Sequence, residues 1–306
     1  MARAGQFTAA HQTALAQDGC AVVAGFLGAD EVRRLRGRIQ ELLAAFDVAD
    51  HPLTTFATGE RTARHIGDEY FFASADKASY FLEEDAVVDG ALTVAPARAV
   101  NKIGHGLHIV DPLFAAVTHS DAVRGIASAL GYADPRVLQS MVICKQPAIG
   151  GAVPLHQDST FLHTRPLSAC GFWIALEDCT LHNGCLEYVP GSHRTAPIAR
   201  RFVRARSGAG TEMVDVGPVY QSALPVATDA REAGTPQQQE QQQESVPIEV
   251  AAGSLVLIHG QVLHKSARNQ SQQSRWIYTF HIVDGACHYD ADNWLQMPAG
   301  AELTRL

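Results

Sequence analysis

The sequence predicts a single α+β domain in which a mainly β core is buttressed by N-terminal helices. The first third of the 306-residue chain carries helical periodicity, whereas from about residue 135 short runs rich in β-branched and aromatic residues appear. Gly, Pro and Asn separate these runs, which is typical of the turns in a sandwich or barrel. Helices first and strands afterwards fit one packed unit over residues 1–306.

The composition is that of an ordinary globular protein with a sizeable core. The chain is 46% hydrophobic and 18% charged, with a net charge of −8. It has no Lys/Arg cluster beyond "RLRGR" and "ARRFVRAR", which argues against nucleic acid as the main partner. No apolar run approaches the roughly 20 residues of a membrane span. These observations predict no nucleic-acid partner and no membrane span. We further expect a small-molecule substrate and a monomeric protein.

The cysteines and the termini suggest a reducing compartment. The six cysteines form no CxxC pair, and the first residues lack the apolar stretch of a signal peptide. We expect free thiols and a cytoplasmic location. The last three residues, Thr304-Arg305-Leu306, faintly resemble a peroxisomal Ser-Lys-Leu address, so a peroxisome-like organelle is the alternative.

The N-terminal elements follow in order. "TAAHQTALAQDG" predicts a helix that ends at Gly19, and "CAVVAGFL" predicts a short strand after it. "GADEVRRLRGRIQELLAAF" predicts an amphipathic helix, because its apolar residues recur at helical spacing. Two further helices are predicted for "DPLFAAVTHS" and "DAVRGIASALG".

The β-rich part contains one exception. The predicted strands lie in "RVLQSMVICKQ", "AVPLHQD", "ACGFWIALED", "CLEYVP", "VPIEVAAGSLVLIHG" and "RWIYTFHIVDG". Between them, about residues 204–246, lies the tract "GTPQQQEQQQES", which has little to bury. It predicts a flexible Gln-rich insertion, whose flanks would cover a site if they acted as a lid.

A His-x-Asp spacing occurs three times, and only one instance has the surroundings of a metal site. His119–Asp121 precedes a helix and suits an N-cap, and His288–Asp290 follows the last predicted strand. His156–Asp158 ends a strand in "VPLHQDSTFL". Because positions i and i+2 of an extended chain point to the same side, an imidazole and a carboxylate lie together there.

A metal at this position needs a third ligand from later in the chain. His264 ends the apolar run "GSLVLIHGQVLH" and is our candidate, with His259 as its rival at a turn. His156, Asp158 and His264 would then be both the metal ligands and the catalytic centre. Two His and one carboxylate with open positions are typical of non-heme Fe(II) oxygenases.

Such an iron needs two more electrons than its substrate gives, and 2-oxoglutarate can supply them. Its far carboxylate requires a fixed cation. Arg275 opens the strand "RWIYTFHIV", and its planar fork suits a carboxylate. Ser266, on the same side as His264, can add a hydroxyl donor.

Four segments together resemble the phytanoyl-CoA dioxygenase family. They are "LHQDSTFL", "NGCLEYVPGSHR", "GSLVLIHGQVLHKS" and "NQSQQSRWIYTFH", and the resemblance runs from about residue 10 to "NWLQ". It implies a double-stranded β-helix, or jelly-roll, with iron on His156, Asp158 and His264 and 2-oxoglutarate on Arg275 and Ser266. It further implies that Lys102, Met141 and Trp173 contact the cosubstrate.

The resemblance implies hydroxylation of an organic substrate with Fe(II), 2-oxoglutarate and O2, releasing succinate and CO2. Related halogenases replace the carboxylate ligand with Gly or Ala, and this chain keeps Asp158. The substrate is open; an acyl-CoA or lipid-like molecule would use basic residues such as Arg200, Arg201 and Arg204. The alternatives are a non-catalytic sensor of 2-oxoglutarate or metal, and a metal isomerase or hydrolase on a similar barrel.

Overall fold

The computed structural model describes residues 5–49, 51–55, 68–226 and 244–306. The α-helices in these ranges are α1 (Ala9–Asp18), α2 (Ala29–Ala44), α3 (Glu69–Phe72), α4 (Pro96–Ala99), α5 (Leu107–Val110), α6 (Pro112–Thr118), α7 (Asp121–Ala129), α8 (Asp158–Phe161) and α9 (Ser192–Thr195).

The strands in the same ranges are β1 (Cys20–Val23), β2 (Ala78–Leu82), β3 (Val87–Val88), β4 (Ala91–Leu92), β5 (Val100–His105), β6 (Pro135–Lys145), β7 (Val153–His156), β8 (Thr164–Arg165), β9 (Cys170–Ala175), β10 (Leu186–Tyr188), β11 (Ile198–Arg204), β12 (Thr211–Val219), β13 (Val246–Ile248), β14 (Leu255–His259), β15 (His264–Ser266), β16 (Arg275–Asp284), β17 (His288–Tyr289) and β18 (Thr304–Arg305).

Two antiparallel sheets form the core. The larger sheet has the order β1-β14-β9-β16-β6-β5-β2, with β18 also paired to β6. The smaller sheet has the order β13-β10-β15-β7. Neighbouring strands within each sheet come from distant parts of the chain, and the two sheets face each other. This arrangement confirms the predicted α+β fold with a jelly-roll core.

Alternation along the strands gives the larger sheet two buried faces. Tyr278 and Phe280 of β16 pack with Phe114 of α6 and Ile39 of α2 in the largest apolar cluster. Ile277, the residue before Tyr278 and therefore on the opposite face, belongs to a second cluster that joins both sheets. The face of the larger sheet that carries Ile277 is here called the inner face, and it is the face on which the predicted site residues lie.

The N-terminal part contributes more than helices. The predicted helices α1, α2, α6 and α7 are confirmed, and so is strand β1. The expectation of a mostly helical N-terminal third is wrong, however, because β2 and β5 extend the larger sheet beside β6. Their apolar faces complete a sheet in which the neighbouring strand β6 comes from later in the chain, and local periodicity cannot reveal such pairing.

The segment predicted to be a flexible insertion is partly a strand. Within residues 204–246, Thr211–Val219 form β12, which pairs antiparallel with β11. This part of the expectation needs correction, since backbone pairing in a hairpin does not require a strongly apolar sequence. Residues 227–243, which include the Gln-rich tract, lie outside the described residues.

Two expectations from composition can be compared with the structure. In the described ranges, no helix combines the length and the apolar character that crossing a bilayer requires. All six cysteines are free thiols, as predicted, and five of them are buried.

Candidate functional site

The His-Asp-His group lies on the smaller sheet and on the short helix beside it. His156 is the last residue of β7, Asp158 is the first residue of α8, and His264 opens β15. β15 and β7 pair antiparallel with His264 opposite His156, so both imidazoles emerge at the same level. One ligand atom from each of the three residues lies within 4.8 Å of the others.

Backbone carbonyls fix the tautomer of both imidazoles. His156 Nδ1 is 2.9 Å from Pro154 O, and His264 Nδ1 is 3.1 Å from Val262 O. Because a carbonyl oxygen only accepts hydrogen bonds, each Nδ1 carries the proton and each Nε2 presents a lone pair. Asp158 Oδ1 lies 3.6 Å from each of these Nε2 atoms.

These separations suit a divalent metal. Ligand atoms about 2.1 Å from one ion lie roughly 3 to 4 Å from each other, which matches the spacing of this group. Burial would raise the pKa of the Asp158 carboxyl, but the His264 and His281 rings and the hydrogen bonds to Asp158 hold it well below its usual value. Burial, with the nearby His156, lowers the pKa of His264 to about 4, so its imidazole is neutral near pH 7. Burial opposes the charged form of His156, but the hydrogen bond to Asp158 and its negative charge raise the pKa of this imidazole. The donor set is two imidazoles and one carboxylate, which fits Fe(II).

The rival His259 has other contacts. Its Nδ1 accepts a hydrogen bond from the Gln261 backbone N–H at 3.2 Å, and its Nε2 is 3.3 Å from Ser222 Oγ. Its ring lies against His193, with centroids 4.9 Å apart. Among the described residues, the group whose atoms are close enough to hold one metal ion contains His264 and not His259, which is buried.

The other two His-x-Asp pairs serve local structure. Ser120, between His119 and Asp121, accepts a hydrogen bond from Val123 N and caps α7. His288 Nε2 lies 3.0 Å from Asp290 Oδ1. Asp290 is also paired with Arg165 at 2.7 Å.

Arg275 lies deep in the protein with little to satisfy its charge. It opens β16, is 2% exposed, and pairs in register with Lys145 of β6. Its guanidinium carbon is 5.4 Å from the centre of the Trp173 ring. Within the described residues its Nε has no hydrogen-bond partner, and no carboxylate forms an ion pair with it. A buried cation of this kind is costly unless an anion joins it.

The remaining predicted contacts line the space around these groups. Ser266 follows His264 by two residues on β15 and is buried. Met141 on β6 and Trp173 on β9 both lie opposite Thr279 of β16. Lys102 on β5 lies opposite Ile143, which belongs to the cluster between the sheets. These positions put all four side chains on faces directed between the two sheets.

Two charged residues of this interior carried no signal in the sequence. Lys145 Nζ donates hydrogen bonds to Gly151 O at 2.7 Å and to Ala267 O at 2.5 Å. Burial, with Arg275 nearby, lowers the pKa of Lys145 to about 6. Glu83 is also buried, and burial raises the pKa of its carboxyl. A helical or strand pattern says nothing about such charges, since each looks like one ordinary polar residue.

A cavity of about 540 Å³ lies beside the hairpin β11–β12. Its polar lining includes His163, Arg165, Arg201, Arg204, Asp290 and Asp292, and none of the residues predicted to bind the metal or 2-oxoglutarate. His163 follows α8 in the chain and is 3% exposed. Neither of its ring nitrogens has a hydrogen-bond partner in the part of the chain that the structure describes.

The fold is shared with solved structures of low sequence identity. A structure of EctD from S. alaskensis with bound Fe has a TM-score of 0.59 and 17% identity, covering 97% of this chain and 84% of that chain. The epimerase SnoN, in complex with Fe3+, alpha ketoglutarate and nogalamycin RO, has a TM-score of 0.60 and 15% identity, covering 97% and 92%. At these identities the likeness shows the fold.

Sequence comparison gives the family. A phytanoyl-CoA dioxygenase domain-containing protein 1 from Bos taurus is 43% identical over 288 residues, covering 92% of this chain and 91% of that protein. A phytanoyl-CoA dioxygenase from Arabidopsis thaliana is 42% identical over 280 residues, covering 91% and 89%. The family model for phytanoyl-CoA dioxygenase (PhyH) matches residues 15–277. The chain therefore belongs to the phytanoyl-CoA dioxygenase family, a family of Fe(II)- and 2-oxoglutarate-dependent dioxygenases.

Proposed function

We propose that this protein hydroxylates a small organic substrate with Fe(II), 2-oxoglutarate and O2, releasing succinate and CO2. It would do so as a single domain and as a monomer. The observation that carries the proposal is the carbonyl-fixed tautomer of His156 and His264. It directs both Nε2 lone pairs toward the side of Asp158 Oδ1.

The roles of the residues follow from their chemistry. His156, Asp158 and His264 would hold the iron, which supplies the activation of O2 when bound. Arg275 would bind the distal carboxylate of 2-oxoglutarate through its planar fork, with Ser266 as a hydroxyl donor. Trp173 and Met141 would wall this space, and buried walls exclude water from the reacting groups.

Lys102 has a role of its own in this proposal. It is buried, and burial lowers the pKa of its ammonium well below the ordinary value, with Glu83 acting in the opposite direction. An incoming dianion would favour the charged ammonium again. Lys102 would thus add charge to the cosubstrate site when 2-oxoglutarate is present.

The basic residues near β11 give limited support to an acyl-CoA substrate. Arg201 is paired with Asp290 and Asp292, and Arg200 lies 3.5 Å from Asp215. Arg204 has no carboxylate partner among the described residues; its Nε donates to Trp294 O. Arg204 is therefore the residue through which we expect an anionic group of a CoA or lipid-like substrate to bind.

The test begins without a substrate. Purified protein is incubated with Fe(II), 2-oxoglutarate and O2, and succinate release is measured against the Asp158→Ala variant and an oxygen-free control. Slow uncoupled succinate formation that depends on Asp158 and O2 supports a dioxygenase. Comparing metabolite extracts treated with active protein and with Asp158→Ala would then identify the substrate.

The alternatives predict different outcomes. A sensor would bind 2-oxoglutarate without forming succinate in any extract. A metal isomerase or hydrolase would change an extract metabolite in the absence of both 2-oxoglutarate and O2. Either result would overturn the proposed reaction while leaving the metal site intact.

A further inference from the structure

The two oxygens of the Asp158 carboxylate have different neighbours. Oδ1 lies 3.6 Å from His156 Nε2 and 3.6 Å from His264 Nε2. Oδ2 lies 3.3 Å from the Nε2 atom of His281, a residue of β16 that is 8% exposed. The Asp158 carboxylate thus faces the two histidines of the metal group with Oδ1 and a third, buried histidine with Oδ2.

Three adjacent strands build the surroundings of His281. His281 on β16 lies opposite Gly171 of β9 on one side and opposite Gln139 of β6 on the other. Gln139 Nε2 is 3.2 Å from His281 Nδ1. All three residues are at positions on the inner face, so the register of the larger sheet brings His281 to the carboxylate.

Gly171 leaves the space in which His281 and Asp158 meet. A Cβ atom at position 171 would lie 3.3 Å from His281 Nε2 and 3.4 Å from Asp158 Oδ2. Any side chain there would contact both partners of this hydrogen bond. The glycine therefore permits the close approach of the imidazole and the carboxylate.

The hydrogen-bond partners of His281 determine which of its ring nitrogens carries the proton. The amide nitrogen of Gln139 only donates, so Nδ1 of His281 accepts its hydrogen bond. In the neutral ring the proton then lies on Nε2, which donates to Asp158 Oδ2. Gln139 thereby fixes the tautomer that the carboxylate needs.

We propose that His281 is a positioning residue for the metal-ligating carboxylate, supported by Gln139. By holding Oδ2, it keeps Oδ1 as the oxygen that faces the two imidazoles and restrains the carboxylate from turning. The inference rests on the proposed metal site. Outer hydrogen-bond partners of metal ligands are worth about 10- to 100-fold in metal affinity, which sets the size of the expected effect.

The test uses Co(II), which reports its ligand geometry by visible absorption. The Kd for Co(II) and the absorption spectrum are measured for wild type, His281→Leu, His281→Gln and Asp158→Ala. We expect about a 10- to 100-fold weaker Kd and an altered spectrum for His281→Leu. His281→Gln keeps an N–H donor, so it should recover part of the affinity and move the spectrum back toward that of wild type.

A matched control separates positioning from packing. His259→Leu removes another buried histidine, and we expect its Co(II) Kd and spectrum to match those of wild type. Circular dichroism and thermal melting of the metal-free proteins identify variants that fail to fold. If His281→Leu does not fold, the comparison uses His281→Gln and Gln139→Leu instead. We expect Gln139→Leu to weaken Co(II) binding, but by less than the about 10- to 100-fold expected for His281→Leu.

Different outcomes test the positioning role of His281 and the proposed metal site. A wild-type Kd and spectrum for folded His281→Leu, with Co(II) binding lost in Asp158→Ala, would overturn the positioning role and leave the metal site standing. Retention of Co(II) by Asp158→Ala would instead show that the proposed metal site is wrong. Equal losses in His281→Leu and His281→Gln would also contradict the hydrogen-bond role.

Discussion

The guanidinium of Arg275 lies over the ring of Trp173, with 5.4 Å between the guanidinium carbon and the ring centre. The two residues sit on the neighbouring strands β16 and β9 and face the smaller sheet. The negative face of the ring stabilises the cation. In the proposed function, a buried guanidinium packed in this way would lose little rotamer entropy on binding a planar carboxylate.

We expect Arg275→Lys to raise the KM for 2-oxoglutarate roughly 10- to 100-fold, because hydrogen bonds to charged groups contribute about 1.5–3 kcal/mol and lysine loses the fork. Fe(II) affinity should stay close to that of wild type. Uncoupled succinate release at varied 2-oxoglutarate gives the KM. An unchanged KM in Arg275→Leu would show that another cation, such as Lys102, binds the distal carboxylate.

The choice between two histidines gives a second prediction. His264→Ala should abolish Fe(II) retention, since it removes one of three donors, whereas His259→Ala should leave metal content unchanged. Metal content after gel filtration, measured by elemental analysis, checks both variants. Loss of metal in His259→Ala with retention in His264→Ala would reverse the assignment of the third ligand.

A third prediction concerns the packing of α6 on the larger sheet. Thr118 donates its hydroxyl proton to Phe114 O at 2.9 Å, so the buried Tyr278 hydroxyl donates to Thr118 Oγ1 at 2.6 Å. Tyr278→Phe should lower the free energy of unfolding by about 1 kcal/mol, the typical contribution of one hydrogen bond. Urea unfolding measures the change, and the Fe(II) content should not alter. An unfolding free energy equal to that of wild type would contradict this prediction.

Lys145 gives a prediction about pH. Burial lowers its pKa from 10.5 in the unfolded chain to about 6 in the folded protein. Between these values the unfolded chain holds more protons, so this residue makes stability rise with pH by at most about 1.4 kcal/mol per unit. The loss of folding stability caused by burying Lys145 is largest below pH 6 and disappears toward pH 10.5.

The measurement compares wild type with Lys145→Met, which keeps most of the side-chain length without a titratable group. Urea unfolding at three pH values between about 7 and 9 gives the stability difference between the two proteins. We expect wild type to gain stability relative to Lys145→Met as pH rises. Parallel pH profiles would show that Lys145 keeps its proton in the folded protein.

The sequence by itself determined the features that depend on near neighbours in the chain. His156 and Asp158 share one side because an extended chain repeats every two residues. The apolar spacing of α2 fixed the face that packs on the sheet, and its Val32, Leu35, Ile39 and Leu43 are all buried. Arg275 was identifiable by chemistry, since a fork-shaped cation at the start of a strand suits a carboxylate.

Only the tertiary structure decided the relationships that depend on strand register. The sequence left His259 beside His264 as a rival, and pairing of β15 with β7 set His264 opposite His156. His281 and Asp158 meet across 123 residues of chain, and Gln139 and His281 across 142. The physical reason is that local periodicity orients a side chain relative to its own strand. Which distant side chain it meets is set by the pairing of strands that burial of the whole core selects.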